Sequence, residues 1–124
     1  MTQSELAAIE SRKSNLLIQA ALLRDQGDLD QSCEAFAKAA AIEEALARDA
    51  DAHQDVLTAI RLWYSAASAW AHAGDFHHAV TLLRELQGRQ DVPASMKARI
   101  AAFSLKVLQQ RERWRDTLHE LASA

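Results

Sequence analysis

The chain has 124 residues, of which 49% are hydrophobic, a share typical of one folded domain and too high for a disordered chain. Its net charge is -3, and its basic residues form no block able to neutralise several phosphates, so no nucleic-acid partner is expected. No apolar run is longer than Ala39–Ile42, so we expect neither a membrane span nor a signal peptide. The single cysteine, Cys33, allows no internal disulfide, which favours a cytoplasmic protein.

The residue content predicts an all-α fold. Ala and Leu dominate the apolar residues, and only 3 Gly and 1 Pro interrupt them. Within each segment the apolar residues recur at spacings of three and four, so each helix offers one apolar stripe to a neighbour. Five breaks predict six helices with short connections, which favours antiparallel pairs. In chain order the breaks are Gly27-Asp28, 48–53, Gly74-Asp75, 88–93 and the charged run 111–113.

The two Gly-Asp turns lie in similar surroundings. Before each turn comes a large residue, a small residue four positions on and a large residue three later; after it comes a small and then a large residue. This pattern resembles the tetratricopeptide repeat, in which small residues let paired helices touch and large ones fill the space to the next pair. The matching positions are Leu16, Ala20, Leu23, Gly27, Ser32 and Phe36 in the first copy, and Trp63, Ala67, Trp70, Gly74, Ala79 and Leu83 in the second.

A third copy is assigned by periodicity alone, and Trp114 begins a terminal helix expected to cap the stack. The resemblance implies one TPR-like domain over 1–124, with repeats at about 3–50, 53–90 and 93–124. Its fold would be six antiparallel helices stacked as three hairpins in a short right-handed α-solenoid. Because the first two turns lie 47 residues apart, against about 34 in the family, longer helices or irregular connections are expected. The third-copy positions are Ala101, Leu105, Leu108, Glu112, Thr117 and Leu121.

The resemblance also implies a non-catalytic interaction module, an adaptor or small chaperone-like protein that holds a partner segment in a concave groove. Groove positions transferred onto this chain combine aromatic and basic side chains, which suits an acidic segment of another protein. They are Arg24, Arg61, Tyr64, Ser65, Ser68, His72, Arg99, Phe103 and Lys106. Two alternatives stay open. One is a structural subunit of a homo-oligomer or larger complex, associating through the N-terminal helix; the other is a helical binder of a metal or small molecule.

The residues that could carry chemistry form no catalytic or metal-binding pattern, so we predict no enzyme activity, cofactor or metal. His77 and His78 are adjacent on a helix and point in different directions, and no zinc motif accompanies them or His72. Cys33 falls on an apolar stripe, where burial would keep its thiol unreactive.

Two further expectations concern burial. Glu43 and Glu44 are adjacent acids on a helix, and such residues usually face water. The tryptophans, by contrast, are expected to lie in the core, where large apolar side chains contribute most. They are Trp63, Trp70 and Trp114.

Overall fold

The computed structural model describes residues 1–123, and its regular structure is entirely helical. No strand occurs in this range, so the all-α prediction is confirmed. Nor does any helix in it have the length and apolar content needed to cross a membrane. The helices are α1 Gln3–Asp25, α2 Leu29–Ala52, α3 Val56–His72, α4 Phe76–Gly88 and α5 Ala94–Ser123.

The prediction of six helices is wrong, because α5 continues without interruption through the supposed break at 111–113. That run is charged but contains neither Gly nor Pro, and Arg and Glu are good helix formers, so nothing in the backbone stops the helix. The third-copy positions do not pack as the motif requires, since Ala101, Leu105 and Leu121 are exposed. Within residues 1–123 there is no third hairpin and no separate capping helix.

The two Gly-Asp turns share one backbone geometry. Gly27 and Gly74 both have a φ of +82°, a left-handed conformation that glycine adopts without the steric penalty of a Cβ atom. Asp28 and Asp75 follow and cap the next helix, each accepting a hydrogen bond from the backbone N–H three residues on, at 3.3 and 3.1 Å. The hairpins α1–α2 and α3–α4 are therefore closed in the same way.

The other two predicted breaks are confirmed, with different local chemistry. α2 continues through most of the polar run 48–53 and ends at Ala52, and Gln54 then takes a φ of +58° to reverse the chain. α5 begins directly after Pro93, whose carbonyl accepts hydrogen bonds from the N–H groups of Met96 and Lys97.

Each helix packs mainly against its neighbours in the chain, in the order α1, α2, α3, α4, α5. α2 and α3, which join the two hairpins, bury mostly alanine, and small side chains permit close approach of two helix backbones. The larger apolar core lies among α3, α4 and α5 and includes Ile60, Leu83 and Ile100. A smaller cluster around Ala20 and Phe36 joins α1 to α2.

Two hydrogen bonds from tryptophan to a carboxylate fix α3 against α2. The Trp70 indole N–H donates to Glu44 Oε2 at 2.7 Å, and the Trp63 indole N–H donates to Asp51 Oδ2 at 2.8 Å. The two donors are seven residues apart on α3 and the two acceptors are seven apart on α2. Seven residues make about two helical turns, so the antiparallel helices are held at two levels in one register.

A basic side chain from beyond α3 joins each of these bonds. His78 Nε2 on α4 lies 2.9 Å from Glu44 Oε2, and its ring stacks on Trp70 with 4.1 Å between centroids. Arg89 donates twice to the Asp51 carboxylate, at 3.0 and 3.1 Å. We call the first set the Glu44 clamp (Glu44, Trp70 and His78) and the second the Asp51 clamp (Asp51, Trp63 and Arg89).

The clamps correct both expectations about burial. Glu43 and Glu44 do not face water but are buried, because α2 is covered by α1 on one side and by α3 on the other. Trp63 and Trp70 are only half-buried, at the contact between hairpins, where each indole N–H finds an acceptor. Trp114 lies outside the core altogether, with 55% of its surface exposed.

Replacing Trp70 with Phe should lower the free energy of unfolding by about 1–3 kcal/mol, because the buried Glu44 carboxylate loses a charge-assisted hydrogen bond. A double-mutant cycle of Trp70→Phe with Glu44→Gln, followed by urea denaturation, isolates this bond from the change in ring size. We expect a coupling energy of at least about 1 kcal/mol. Strictly additive effects would contradict the Glu44 clamp.

The Asp51 clamp predicts acid sensitivity. The hydrogen bonds from Arg89 hold the pKa of Asp51 below its ordinary value of 3.8. The stabilisation is therefore present above pH 3.8 and is lost as the pH falls through the lowered pKa. In thermal melts between pH 6 and pH 2.5, Asp51→Asn should flatten the acid side of the stability curve. An unchanged acid slope in the variant would show that Asp51 does not contribute.

Candidate functional site

The predicted groove positions lie together on one face of the molecule, formed by α1, α3 and α5. All of them except Ser68 line one of two pockets on this face. We call this face the groove. The Arg61 pocket, of about 380 Å³, is lined by Arg61, Tyr64, Ser65, Met96, Arg99 and Ile100. The Arg24 pocket, of about 480 Å³, is lined by Arg24, Ala71, His72, Phe76, Phe103, Lys106, Gln110, Arg113, Trp114 and Thr117.

The Arg24 pocket forms where the C-terminal ends of α1 and α3 meet the middle of α5. Arg24 Nη1 lies 3.4 Å from His72 Nδ1, and the guanidinium carbon lies 5.6 Å from the centre of the Phe36 ring. Phe36 in turn stacks on His72, with 5.0 Å between centroids. One buried phenylalanine of α2 therefore positions both polar groups at this end of the groove.

The surroundings of His72 lower its pKa and so favour the neutral imidazole. Burial, followed by the positive charges of Arg24 and Lys106, lowers the pKa of His72 below its ordinary value of 6.5. Since arginine can only donate, His72 Nδ1 must accept from Arg24. The positive charge of this pocket at neutral pH therefore resides on arginine and lysine and not on the imidazole.

An aromatic pair stands between the two pockets. Tyr64 on α3 and Phe103 on α5 have ring centroids 5.3 Å apart and planes tilted by 46°. Tyr64 lines the Arg61 pocket and Phe103 lines the Arg24 pocket, so the pair connects them.

The groove is basic although the chain as a whole is acidic. Neither pocket has Asp or Glu in its lining. Within residues 1–123, Arg24, Arg61, Arg99 and Lys106 form no salt bridge within 4.0 Å, whereas Arg48 and Arg89 are bound to carboxylates. These cations can therefore meet an anionic group from outside, and the neighbouring aromatic rings supply apolar contact area.

Sequence reasoning missed part of the Arg24 pocket. Arg113 and Thr117 line it because they follow Lys106 and Gln110 on one face of a continuous helix, at spacings of three and four. The predicted break at 111–113 assigned these residues to two different helices, so their common face was not recognised. Reading the absence of Gly and Pro as a sign of continuity would have revealed it.

A buried carboxylate lies behind the Arg61 pocket. Glu43 is only 1% exposed, and its Oε2 atom has no hydrogen-bond partner within residues 1–123. Burial raises the pKa of Glu43 above its ordinary value of 4.5, while a hydrogen bond with Ser65 and the charge of Lys13 lower it by less. Ser65 also lines the Arg61 pocket, so Glu43 lies one hydrogen bond away from the groove.

The remaining candidate residues are dispersed. His78 belongs to the Glu44 clamp, His77 is exposed on α4, and His72 lies in the groove. No group of three His, Cys, Asp or Glu side chains in residues 1–123 is placed to hold a metal ion. Cys33 is half-buried, with its Sγ atom 3.9 Å from the carbonyl oxygen of His72.

Comparison of the chain with protein-family models, with curated proteins and with solved structures finds no match. What the chain binds is therefore inferred from the side chains of the groove itself.

Glu43→Gln should stabilise the protein more at pH 8 than at pH 4.5, because the wild-type carboxyl is harder to ionise in the native state. The sign follows from the raised pKa: above pH 4.5 the unfolded chain releases a proton that the native chain retains, so wild-type stability falls as the pH rises through this window. The amide cannot ionise and should remove this fall. The measurement is urea denaturation at both pH values.

Glu44→Gln is the matched control for this prediction, because it makes the same chemical change at the next residue. Glu44 has partners for its carboxylate, so this substitution should destabilise the protein at pH 8. If both variants moved stability in the same direction at pH 8, the distinction between a buried carboxylate with one unpaired oxygen and a fully partnered one would be wrong.

Proposed function

We propose that this chain is a TPR-like, non-catalytic binding protein, with two complete hairpins followed by α5, and that its groove holds an acidic segment of another protein. In this proposal α1, α3 and α5 are the groove-lining helices, and α2 and α4 are the outer helices. The observation that carries it is the basic lining of both pockets, free of Asp and Glu and interleaved with aromatic rings.

The TPR-like part of the proposal is supported by the equivalence of the two hairpins. The motif positions Ala20 and Ala67 are both fully buried, and so are the residues that follow each Gly-Asp turn at the small position, Ser32 and Ala79. The Ser32 hydroxyl donates to the carbonyl of Ala20 at 2.7 Å, which brings the two helices of the first hairpin together at this point. A solenoid twist is part of the proposal and follows from stacking the two hairpins through α2 and α3.

The ligand is inferred from the chemistry of the lining. Arginine forks suit carboxylates, and the Tyr64–Phe103 pair presents aromatic surface between two groups of cations. A segment with acidic residues on either side of an apolar one would meet both features at once. Ser65 and His72 lie in different pockets, so these two side chains do not form a nucleophile and base pair, which supports binding over catalysis.

The double charge reversal Arg61→Glu with Arg99→Glu should weaken binding of an acidic peptide by at least about tenfold, because two attractive contacts become repulsive. The probe is a set of fluorescein-labelled peptides that contain Glu and Asp around one Leu or Phe. Binding would be measured by fluorescence anisotropy at low salt, where electrostatic contributions are largest.

Arg12→Glu with Arg84→Glu is the matched control. Both arginines are exposed, neither lines either groove pocket, and the change in net charge is the same. Peptides with Lys in place of Glu and Asp test the sign of the recognition. Equal loss of binding in the two double variants, or equal binding of acidic and basic peptides, would show that net charge and not the groove is responsible.

A further inference from the structure

The C-terminal part of α5 carries an apolar stripe that residues 1–123 leave largely exposed. Ile100, Val107, Trp114 and Leu121 follow one another at intervals of seven residues and so share one side of the helix. The first two are buried in the core, at 1% and 0% exposure, whereas Trp114 and Leu121 are 55% and 69% exposed. Leu118, between them on the same side, is 47% exposed.

The reason is a difference in helix length. α5 has 30 residues, about 45 Å, while α4, against which it packs, has 13 residues, about 20 Å. The stripe therefore continues past the beginning of α4 at Phe76. We call this region, residues 111–123, the overhang. Its core-facing side carries the large apolar residues that normally pack against a second helix, but no helix within residues 1–123 covers them.

We propose that the overhang pairs with the overhang of a second copy of this chain, with the two helices antiparallel, to form a symmetric dimer. In this register Trp114 of each copy packs against Leu121 of the other, and Leu118 lies next to its symmetry mate. A twofold interface of this kind uses the same patch on both chains. The dimer is argued from the exposed stripe and not from the groove proposal, although Arg113 and Trp114 also line the Arg24 pocket. Either proposal can fail without the other, because sedimentation tests one and peptide binding the other.

Sterics select the antiparallel arrangement. α4 already covers the stripe at Ile100 and Val107, so a second α5 running parallel would have to pass through the body of the first copy. An antiparallel α5 runs away from that body beyond the overhang. Only the exposed segment is then shared between the two helices.

The charges beside the stripe are self-complementary in this register. Arg113 and Glu120 lie seven residues apart on one flank of the overhang. In two antiparallel helices related by a twofold axis, this flank of one copy faces the same flank of the other. Arg113 of one copy then lies about 3 Å, measured along the helix axis, from the level of Glu120 of the other. The dimer therefore gains two equivalent Arg–Glu pairs.

Sedimentation velocity of the 124-residue chain at about 100 µM tests the proposal. We expect a mass twice that of the 13.7 kDa chain. Leu118→Glu places two carboxylates at the symmetry axis and should raise the dimer dissociation constant by at least about 100-fold. Leu105→Glu is the matched control, because Leu105 is 59% exposed on the opposite side of the same helix, and this variant should remain dimeric. A monomeric wild-type chain, or equal effects of the two variants, would overturn the proposal.

The register is tested by charge exchange. Arg113→Glu and Glu120→Arg should each weaken the dimer, and the two together should restore it, because each pair is then reformed with opposite signs. Circular dichroism of every variant checks that helix content is unchanged. Failure of the double variant to recover would reject the antiparallel register, and loss of helix content in Leu118→Glu would show that the overhang belongs to the fold and not to an interface.

Discussion

The two tryptophan–carboxylate bonds between α2 and α3 are the constraint on which the remaining arrangement depends. Glu44 with Trp70 and Asp51 with Trp63 hold the hairpins at two levels about two turns apart. Neither helix can rotate or slide by one residue without breaking both bonds and leaving buried or half-buried polar groups unpaired. Most of the surrounding contact is alanine, which permits close approach but provides little geometric specificity, so the polar bonds determine the register.

The same bonds decide which way α3 presents its other residues. Trp63 and Trp70 lie on one side of the helix, and residues two positions away, about 200° around it, lie on the opposite side. Arg61, Ser65 and His72 occupy such positions and line the groove pockets. The two kinds of charge are therefore separated in space. Glu44 and Asp51 of α2 are hydrogen-bonded at the contact between α2 and α3, while the arginines of the groove form no salt bridge within residues 1–123. An acidic protein can in this way present a basic surface.

α5 contributes to two surfaces because it is longer than the helix that covers it. Its first half completes the core with α4 and lines the groove through Arg99, Phe103 and Lys106. Its last 13 residues, the overhang, extend the core-facing stripe past the beginning of α4 at Phe76. Trp114 lies where these surfaces meet, since it lines the Arg24 pocket and begins the exposed part of the stripe. Peptide binding in the Arg24 pocket and self-association would thus share the side chains of Arg113 and Trp114.

The amino-acid sequence by itself determined the helical fold, four of its breaks and eight of the residues that line the two pockets. These depend on short-range physics: glycine at a left-handed turn, aspartate as a cap, and a helical period that puts residues three and four apart on one side. The tertiary structure alone decided that Glu43 and Glu44 are buried and that Trp114 is not. Glu44 is buried because α1 and α3 cover α2, and its carboxylate is satisfied there by Trp70 and His78 on two other helices. No local pattern in the sequence encodes these long-range contacts. The absence of Gly and Pro at 111–113 was enough to predict that α5 is one continuous helix. Whether the apolar stripe of the overhang is covered depends instead on where α4 begins, which only the tertiary structure shows.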